Sequence, residues 1–377
     1  MDTSNLIEKL NQNTGVILIN IFIILAVVFM LWNYYYIKNL ESKECKKINS
    51  LYPEMNGKIS SIKKLNVDDN APTNYTHNLR DYYIKTAYNA CSSGDYQNNV
   101  VSTCVLRDLL KQGVRGFDFE IYSLNNEPVV ATSIGKNYYV KETFNSVPFG
   151  EVLNIFKNFS YSTSGSPNPG DPIIIHLRMQ TENQEVYTYM AKLFESMNSY
   201  LLGKKYSYEN GGKNLGEVPL FELRNKMIII VDKSNPSFME NKKFKEYVNM
   251  TSNSVFMRAL SYTNSVKFTP DTSELKTYNK QNMTIVLPDP TNDPENPSGL
   301  LCRSLGCQMV AMRYQNNDAS LKESIDYYNK YGHAFVLKPL DLRYIPVYID
   351  KPPPPNPDFS YAPRKIEDPT GLYKFNI

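Results

Sequence analysis

Two carboxylates stand two residues apart in the apolar stretch GVRGFDFEIY, residues 113 to 122. Alternate residues of a β-strand point to the same face, so Asp118 and Glu120 must share one side of this predicted strand. Arg178 ends a second apolar stretch, IIIHLR. Charges on an inward strand face are costly to bury alone, so these carboxylates can pair with the arginine. The sequence therefore offers an internal ion pair.

Only three histidines are available for acid–base chemistry, namely His77, His176 and His333. Imidazole titrates near neutral pH, which makes histidine the usual general acid or base. His77 lies in PTNYTHNLRD, a polar context typical of a solvent-facing loop. His176 lies inside the apolar stretch that ends at Arg178. Acid–base catalysis by histidine would therefore depend on one or more of these three residues.

The elements that must position these residues alternate between short apolar strands and amphipathic helices. The sequence predicts strands at 113–122, 171–179, 225–233, 306–314 and 333–339. A helix is predicted over 101–113, where Gly113 suits a helix C-terminus. Strands separated by helical crossovers indicate a parallel sheet. Periodicity alone leaves an open doubly wound sheet and a closed barrel as alternatives.

Composition excludes some classes of function. The chain has 377 residues, with 41 basic and 38 acidic side chains, which is too balanced for a surface that neutralises nucleic-acid phosphates. Five cysteines without a CxxC pair predict free thiols in a reducing compartment, with Cys91–Cys104 as the one plausible local disulfide. The sequons of an Asn-rich chain are expected to be unglycosylated; they lie at Asn74, Asn158, Asn249 and Asn282.

The amino-terminal segment from Gly15 to Trp32 carries no charge and predicts one transmembrane helix. Tyrosines 34–36 follow as an interfacial belt, and four lysines come next; they are Lys38, Lys43, Lys46 and Lys47. The positive-inside rule then leaves the large carboxy-terminal part on the cytosolic side. A cleaved signal peptide is the alternative, but no small-residue cleavage site follows the apolar run.

These observations predict four regions along the chain. Residues 1–37 form the anchor, and residues 38–70, which are polar and rich in lysine, form a stalk. Residues 71–350 form the folded domain. Residues 351–377 form a proline-rich tail, whose opening KPPPPNPDF must be extended because four consecutive prolines lack the donors for a helix or sheet.

Three stretches resemble one known family. GCQMVAMRYQNNDASLKESIDYYNKYGHAFVLKPLDLR, at 306–343, is similar to the Y half of eukaryotic phosphoinositide-specific phospholipase C. The stretches LRDLLKQGVRGFDFEIYSLNNEPVV, at 106–130, and VPLFELRNKMIIIVDK, at 218–233, resemble its X half. The resemblance covers about residues 75–345. It implies a (β/α) barrel of the TIM type, with its site at the carboxyl ends of the strands.

The family uses two histidines, one as general base and one as general acid. In the stretch IKTAYNAC, Tyr88 stands at the position of the first histidine and Asn89 matches the following asparagine. In EPVVATS, the second histidine position falls on Thr132 and its neighbours. A second alignment uses Thr76-His77-Asn78, with His77 as the base, although it lies eleven residues too early for the family spacing. The resemblance therefore implies that both catalytic positions have degenerated.

The family's calcium ligands are altered as well. The resemblance places three vestigial positions at Asn89, Asp118 and Glu120, and puts Arg178 where the family has a further glutamate. Some bacterial relatives also carry an arginine in place of calcium. Three protein ligands beside a guanidinium would make a poor calcium site, so no cofactor is expected unless the site is active. An ion pair of Arg178 with Asp118 or Glu120 is the alternative.

Lys233 and Arg178 remain as candidate substrate residues, although Lys233 is equally well explained as a solvated lysine at a strand end. The resemblance implies a catalytically degraded, membrane-anchored barrel that acts as a structural or interaction protein. The bilayer is its expected partner, with phosphoinositide head groups and capsid or other membrane proteins as further ones. Similar membrane-anchored sequences occur in large DNA viruses, which suggests a virion membrane. The alternative is an active phosphoric diester hydrolase that uses another base, His77 or His176.

Overall fold

A computed structural model describes residues 3–63, 75–135, 140–346, 359 and 361–377. The chain divides into a large unit, residues 1–343, and a small carboxy-terminal unit, residues 344–377. The large unit contains the amino-terminal helix and the sheet that carries the predicted carboxylates.

The strands of the large unit are short and mostly buried on both faces. They are β1 (Tyr82–Ala87), β2 (Gly116–Leu124), β3 (Glu127–Ala131), β4 (Val147–Pro148), β5 (Ile173–Met179), β6 (Met227–Asp232), β7 (Met250–Ser252), β8 (Met257–Ser261), β9 (Met283–Leu287), β10 (Met309–Met312) and β11 (Phe335–Leu337). The two strands of the small unit are β12 (Lys365–Glu367) and β13 (Lys374–Asn376).

Helices lie between these strands, together with short 3₁₀ and π turns. They are α1 (Thr3–Leu51), α2 (Thr103–Lys111), α3 (Phe149–Ile155), α4 (Gln184–Ser196), α5 (Ser207–Gly212), α6 (Lys242–Lys245), α7 (Thr272–Gln281), α8 (Gly299–Ser304) and α9 (Ala319–Tyr331). Helix α2 confirms the prediction over 101–113. Gly113 follows it with φ of 73°, a left-handed conformation that favours glycine after a helix.

Eight strands form a parallel, nearly closed barrel. Their order is β7-β6-β5-β2-β1-β10-β9-β8, and each hydrogen-bonded pair in this series is parallel. Strands β5 and β6 are largely apolar because both of their faces are buried, one in the barrel and one beneath the helices; in β5 only His176 and Arg178 interrupt the apolar run. The barrel alternative is confirmed, and the open doubly wound sheet is excluded.

One predicted strand does not join the barrel as a parallel member. Strand β11, predicted over 333–339, pairs antiparallel with the start of β1, with Tyr82 opposite Leu337. Strands β3 and β4 are also antiparallel additions, built onto the end of β2. These pairings depend on chain reversals that the alternation of strands and helices could not indicate.

Helix α1 contains the predicted transmembrane segment. Residues 14–51 include a window with a mean hydropathy of 2.8, and none of that window is buried against the rest of the protein. The helix is long and apolar enough to cross a membrane. Its apolar part exposes large side chains such as Phe22, Phe29 and Trp32.

The region predicted as a polar stalk, 38–70, is largely part of the folded unit. Helix α1 continues to Leu51, and the segment then packs along the barrel, with Ile48, Tyr52, Ile59 and Ile62 all at most 7% exposed. The stalk prediction is wrong up to residue 63, and residues 64–70 lie outside the described residues. Sequence polarity was misleading because only every third or fourth residue of this segment faces the barrel.

The cysteine prediction is also wrong. Cys45 of α1 and Cys104 of α2 form a disulfide, with their Cα atoms 6.0 Å apart. The other three cysteines, Cys91, Cys302 and Cys307, are free thiols and are buried. The pairing spans 59 residues and depends on the docking of α1, which a stalk would not allow.

The small unit carries an antiparallel pair, in which Ile366 lies opposite Phe375. Most residues of this pair are exposed. The predicted extended conformation of 351–359 falls almost wholly outside the described residues.

Candidate functional site

The carboxyl ends of β1, β2 and β5 meet at one end of the barrel, which we call the mouth. The parallel register places Asp118 beside His176 and Glu120 beside Arg178. Asn89 follows the end of β1, and its backbone nitrogen donates to Asp118 Oδ2 over 3.3 Å. Two residues on β2 and two on β5 therefore share one inward-facing patch, as their spacing of two requires.

Arg178 is the centre of this patch. Its guanidinium donates from Nε to Asp118 Oδ1 over 3.0 Å and from Nη2 to Asp118 Oδ2 over 2.7 Å. Nη1 donates to Glu120 Oε1 over 2.8 Å, and Nη2 also donates to Asn89 Oδ1 over 2.9 Å. The predicted ion pair is confirmed, and Arg178 bonds to Asp118 and Glu120 together.

Burial makes this cluster strongly interdependent. Asp118 and Glu120 side chains are 0% and 4% exposed, and that of Arg178 is 12% exposed. Burial alone would raise the pKa of Asp118, but the Arg178 guanidinium and the hydrogen bond with His176 hold that pKa well below its usual range. Burial would likewise lower the pKa of Arg178, but the Asp118 charge raises it. Asp118 and Arg178 are therefore held in their charged forms.

His176 lies beneath Arg178 and joins Asp118 to a third strand. Its Nδ1 lies 2.7 Å from Asp118 Oδ1, and its Nε2 lies 2.8 Å from Ser252 Oγ at the end of β7. All three side chains are completely buried. A serine, a histidine and an aspartate in this order have the connectivity of a nucleophilic relay. The burial of Ser252 leaves it no access to a substrate, so the arrangement is a structural one.

Glu120 is fixed from its other side by main chain and a phenol. The Tyr122 hydroxyl donates to Glu120 Oε2 over 2.8 Å, and the backbone nitrogen of Ser133 donates to the same oxygen over 3.1 Å. Asn89 Nδ2 approaches Glu120 Oε1 at 3.4 Å. Both carboxylate oxygens are thus occupied by protein donors.

Tyr88 covers the cluster from the position predicted for the missing base. The Arg178 guanidinium lies 4.8 Å from the centre of the Tyr88 ring, a cation–π contact. Tyr88 is 6% exposed, and burial raises the pKa of its hydroxyl above the ordinary value. The next residue, Asn89, has φ of 42°, which asparagine tolerates better than most residues. This turn aims the Asn89 side chain at Arg178.

The calcium that the family resemblance implies does not fit these residues. Asn89, Asp118 and Glu120 all direct side-chain oxygens at Arg178, so its guanidinium fills the space that a cation would need. Calcium requires six to eight oxygens, and a positive charge at hydrogen-bond distance would repel it. Among the residues that the structure describes, no cluster of three His, Cys, Asp or Glu side chains could hold a metal ion. The vestigial role of the three positions remains a prediction.

Thr132, at the position predicted for the general acid, is also buried and hydrogen-bonded to the protein. Its Oγ1 donates to the carbonyl of Tyr96 over 2.9 Å, and the residue is 1% exposed. Tyr96 lies in the loop after β1, and its ring packs edge-on against Tyr88 with centroids 5.4 Å apart. Arg313, which follows β10, stacks 4.9 Å from the Tyr96 ring centre and pairs with Asp293 over 2.7 Å. Bulky side chains therefore pack beside the catalytic positions at the mouth.

Lys233 lies just after β6, on the same end of the barrel. The residue is half-buried, and its backbone nitrogen donates to the carbonyl of Ser252 over 3.1 Å. This position is compatible with both readings of Lys233, a substrate residue or a solvated strand-end lysine. Arg178, the other candidate substrate residue, is already bonded to three side chains.

His77 lies at the opposite end of the barrel. It precedes β1 by several residues, and its ring nitrogen Nε2 lies 3.2 Å from Arg343 Nη1. His333 precedes β11 and contacts the carbonyl of Ser60 over 2.9 Å, again away from the mouth. The structure therefore does not bring His77 to the predicted catalytic position.

Sequence reasoning missed the contribution of His176 and of the aromatic filling. His176 and Arg178 are two residues apart on β5, as Asp118 and Glu120 are on β2, and this shared spacing could have predicted a common inward face. Tyr96 could not have been found in this way, because a loop residue has no periodic signal.

The chain matches the phosphatidylinositol-specific phospholipase C X domain over residues 75–233 and the Y domain of the same family over residues 233–340. A comparison with curated proteins finds no match.

Two solved structures share the fold. PLC21 from L. pealei has a TM-score of 0.58 at 17% identity, covering 72% of this chain and 38% of its own. PLC21 from S. officinalis has a TM-score of 0.57 at 16% identity, covering 74% and 39%. The chain thus spans well under half the length of these proteins, and the likeness shows the fold alone. Through an X domain and a Y domain that together account for more than half of its length, the chain belongs to the family built on the phosphatidylinositol-specific phospholipase C barrel.

Proposed function

We propose that this protein is a membrane-anchored phospholipase C-like barrel that interacts with a membrane surface without hydrolysing phosphodiesters. The observation that carries the proposal is the position of Arg178, which donates to Asn89, Asp118 and Glu120 at once. The residues that the family would use for a metal are engaged with one another in this protein. The site has the chemistry of a structural ion cluster.

The general base is the second argument. A base must accept a proton near neutral pH and must reach the substrate. Tyr88 is buried and its pKa is raised, so its hydroxyl stays protonated near neutral pH and cannot act as the base. Thr132 has no titratable group near neutral pH, and its hydroxyl is bonded to the carbonyl of Tyr96. Neither position supplies the proton transfer that the family reaction needs.

An active hydrolase with another base is the competing function. His77 lies at the far end of the barrel, beside Arg343. His176 is at the correct end, but it is completely buried and both of its ring nitrogens are engaged. Activity would require the Arg178 cluster to open and expose His176. This competing function defines the outcome that would overturn the proposal.

The anchor and the disulfide define the setting of this function. Helix α1 would hold the barrel at a bilayer. Disulfides are rare in the reducing cytosol, so Cys45–Cys104 favours the opposite side of the membrane from the one that the lysines favour. By resemblance to membrane-anchored sequences of large DNA viruses, a virion membrane is one such setting. Lipid head groups and proteins of the same membrane are the partners that fit.

The decisive experiment measures release of inositol phosphate from vesicles that contain phosphatidylinositol, with the full chain in detergent or liposomes and with or without calcium. We expect no release above vesicles alone. Tyr88→His should not restore it, because the general acid is still missing and Arg178 still occupies the position of the metal. Calcium-dependent release by the native chain, abolished by Asp118→Ala, would overturn the proposal. Release that is independent of calcium and abolished by His176→Gln would favour the competing function.

A further inference from the structure

The transmembrane helix and the barrel are joined by an extended contact. Helix α1 runs without interruption from its apolar part to Leu51. Its last turns and the residue after them pack into the core, with Ile48 1% and Tyr52 7% exposed. The Tyr52 hydroxyl donates to the carbonyl of Tyr314 over 2.8 Å, and Cys45 is covalently bonded to Cys104. A helix held by a core contact and a covalent bond cannot swing freely relative to the barrel.

The contacts also give the direction in which the chain travels. Helix α2 starts after the loop that leaves the carboxyl end of β1, and it ends before the amino end of β2. Cys104, in its first turn, is therefore on the mouth side of the barrel. Further along the chain, the carbonyl of Glu54 accepts from Gln112 Nε2 over 3.1 Å. The backbone nitrogen of Asn56 donates to the carbonyl of Lys111 over 2.9 Å.

These contacts mean that the segment descends the barrel wall from the mouth to the opposite end. The next contacts agree. Ser60 bonds to Gly332, which ends α9 at the end of the barrel opposite the mouth, and Ile62 bonds to Asp171, which precedes the amino end of β5. The apolar part of α1 precedes Cys45 in the sequence. It must therefore lie beyond the mouth and not beyond the opposite end.

The helix also sets the distance to the membrane. Trp32 ends the apolar run, and a rise of about 1.5 Å per residue puts it roughly 20 Å from Cys45 along the helix axis. Tyr34, Tyr35 and Tyr36 are all exposed in this interval, as expected of an interfacial belt. Lys38 and Lys43 follow, and they can contact acidic head groups.

We infer that α1, locked to the barrel by the Cys45–Cys104 disulfide, holds the mouth facing the bilayer in which α1 is embedded. The partner of the mouth is thus the lipid surface of the protein's own membrane. This inference rests on the anchoring that is part of the proposed function, and it is independent of whether any lipid is hydrolysed. The orientation follows from this chain's own helix.

Formation of the Cys45–Cys104 disulfide needs an oxidant. The two thiols lose two protons and two electrons as the sulfur–sulfur bond forms, and a small-molecule or protein disulfide accepts them and becomes two thiols. Cys91, Cys302 and Cys307 are each 0% exposed, so they do not compete for the exchange. Within the described part of the chain, each cysteine is either paired in this bond or buried.

The test compares two dye positions on the full chain in liposomes of phosphatidylcholine and phosphatidylserine. One donor dye is attached at Leu124→Cys, at the end of β2 on the mouth side, where the native residue is 44% exposed. The other is attached at Lys58→Cys, an exposed position at the opposite end. Acceptor dyes are placed on the lipid head groups. We expect energy transfer from the mouth position to exceed that from the far position by at least about twofold, because the far position lies further from the bilayer by at least the length of α2, which has nine residues at about 1.5 Å each.

The role of the Cys45–Cys104 disulfide in fixing the orientation is tested with matched variants. Cys45→Ser should bring the two transfer signals close to each other, whereas Cys91→Ala, which removes a buried free thiol, should leave their difference unchanged. Flotation of the liposomes reports anchoring separately. A chain that does not float refutes the anchor in the proposed function. A chain that floats with equal signals, or with the stronger signal at the far end, refutes the orientation. A difference that survives Cys45→Ser refutes the role of the disulfide.

Discussion

Replacing Arg178 with methionine should destabilise the barrel strongly. The change keeps most of the side-chain length but leaves Asp118 and Glu120 buried without their cation. Breaking a buried ion pair by removing one partner typically costs about 3–5 kcal/mol. For a domain of this size, each kcal/mol lowers the melting temperature by about 2 °C, so Arg178→Met should melt about 6–10 °C below the native chain at pH 7.

The pH dependence gives this prediction a second signature. In the native chain the pKa of Asp118 is depressed, so its stabilising contribution is present above the unfolded value of about 3.9 and is lost as the pH falls further. Without Arg178, the burial of Asp118 raises the pKa of its carboxyl. Protonation then relieves the buried charge, and the variant should recover stability as the pH falls from 7 to 5. The difference in melting temperature between the native chain and Arg178→Met should therefore become smaller as the pH falls from 7 to 5.

Thermal unfolding of the full chain in detergent, followed by circular dichroism, measures both effects. The matched control is the triple variant Arg178→Met with Asp118→Asn and Glu120→Gln, which removes all three charges together. It should melt well above the single variant at pH 7. An Arg178→Met variant that melts within about 2 °C of the native chain would refute the reasoning, since a loss of at least about 3 kcal/mol is expected. A triple variant whose melting temperature at pH 7 is no higher than that of Arg178→Met would also refute the reasoning.

Further predictions concern the metal, the buried lysines and the compartment. Arg178→Glu should make the melting temperature rise with added calcium, whereas the native chain should show no such rise; a rise in the native chain would contradict the assignment of the ion cluster. Burial lowers the pKa of Lys85 and Lys338 to about 7, so native stability should increase from pH 7 to 9, by about 1 kcal/mol per pH unit for each lysine, and Lys85→Met should flatten this slope by about half in thermal melts. On a gel, the native chain should migrate faster without reductant than with it, whereas Cys45→Ser should migrate equally in both conditions. Equal migration of the native chain in both conditions would contradict the disulfide. If the barrel enters a glycosylating compartment, Asn249 should stay unmodified because it is 5% exposed and its Nδ2 donates to the Tyr206 carbonyl; a glycan there, detected by mass spectrometry, would contradict this packing.

The barrel was predictable because its signals are local or specific to the family. Strands such as β5 and β6 are largely apolar, and the spacing of Asp118 and Glu120 predicts two inward carboxylates. The ion pair with Arg178 also followed, since a lone buried charge must find a partner. These features need only periodicity and charge balance to be inferred.

The remaining features depend on contacts between distant parts of the chain. The docking of residues 38–63 and the Cys45–Cys104 bond both require α1 to lie against α2, and nothing in a polar, lysine-rich segment indicates that contact. His176 was considered only as an alternative base, and its bonds to Asp118 and Ser252 were not predicted because a family alignment asks only about catalytic positions. The antiparallel pairing of β11 was missed because strand direction depends on topology and not on composition.

The position of β1 also has a consequence for biosynthesis. Ile84 is bonded to two strands from the far end of the domain, opposite Met309 in β10 and Phe335 in β11. A chain emerging from the ribosome carries β1 early, but the partners of its edges appear only when almost the whole domain has been made. Non-local pairings of this kind are slow to form and leave strand edges open to other chains. We therefore expect nascent chains that stall before β10 to be strongly prone to aggregation and to depend on chaperones until the last strands arrive.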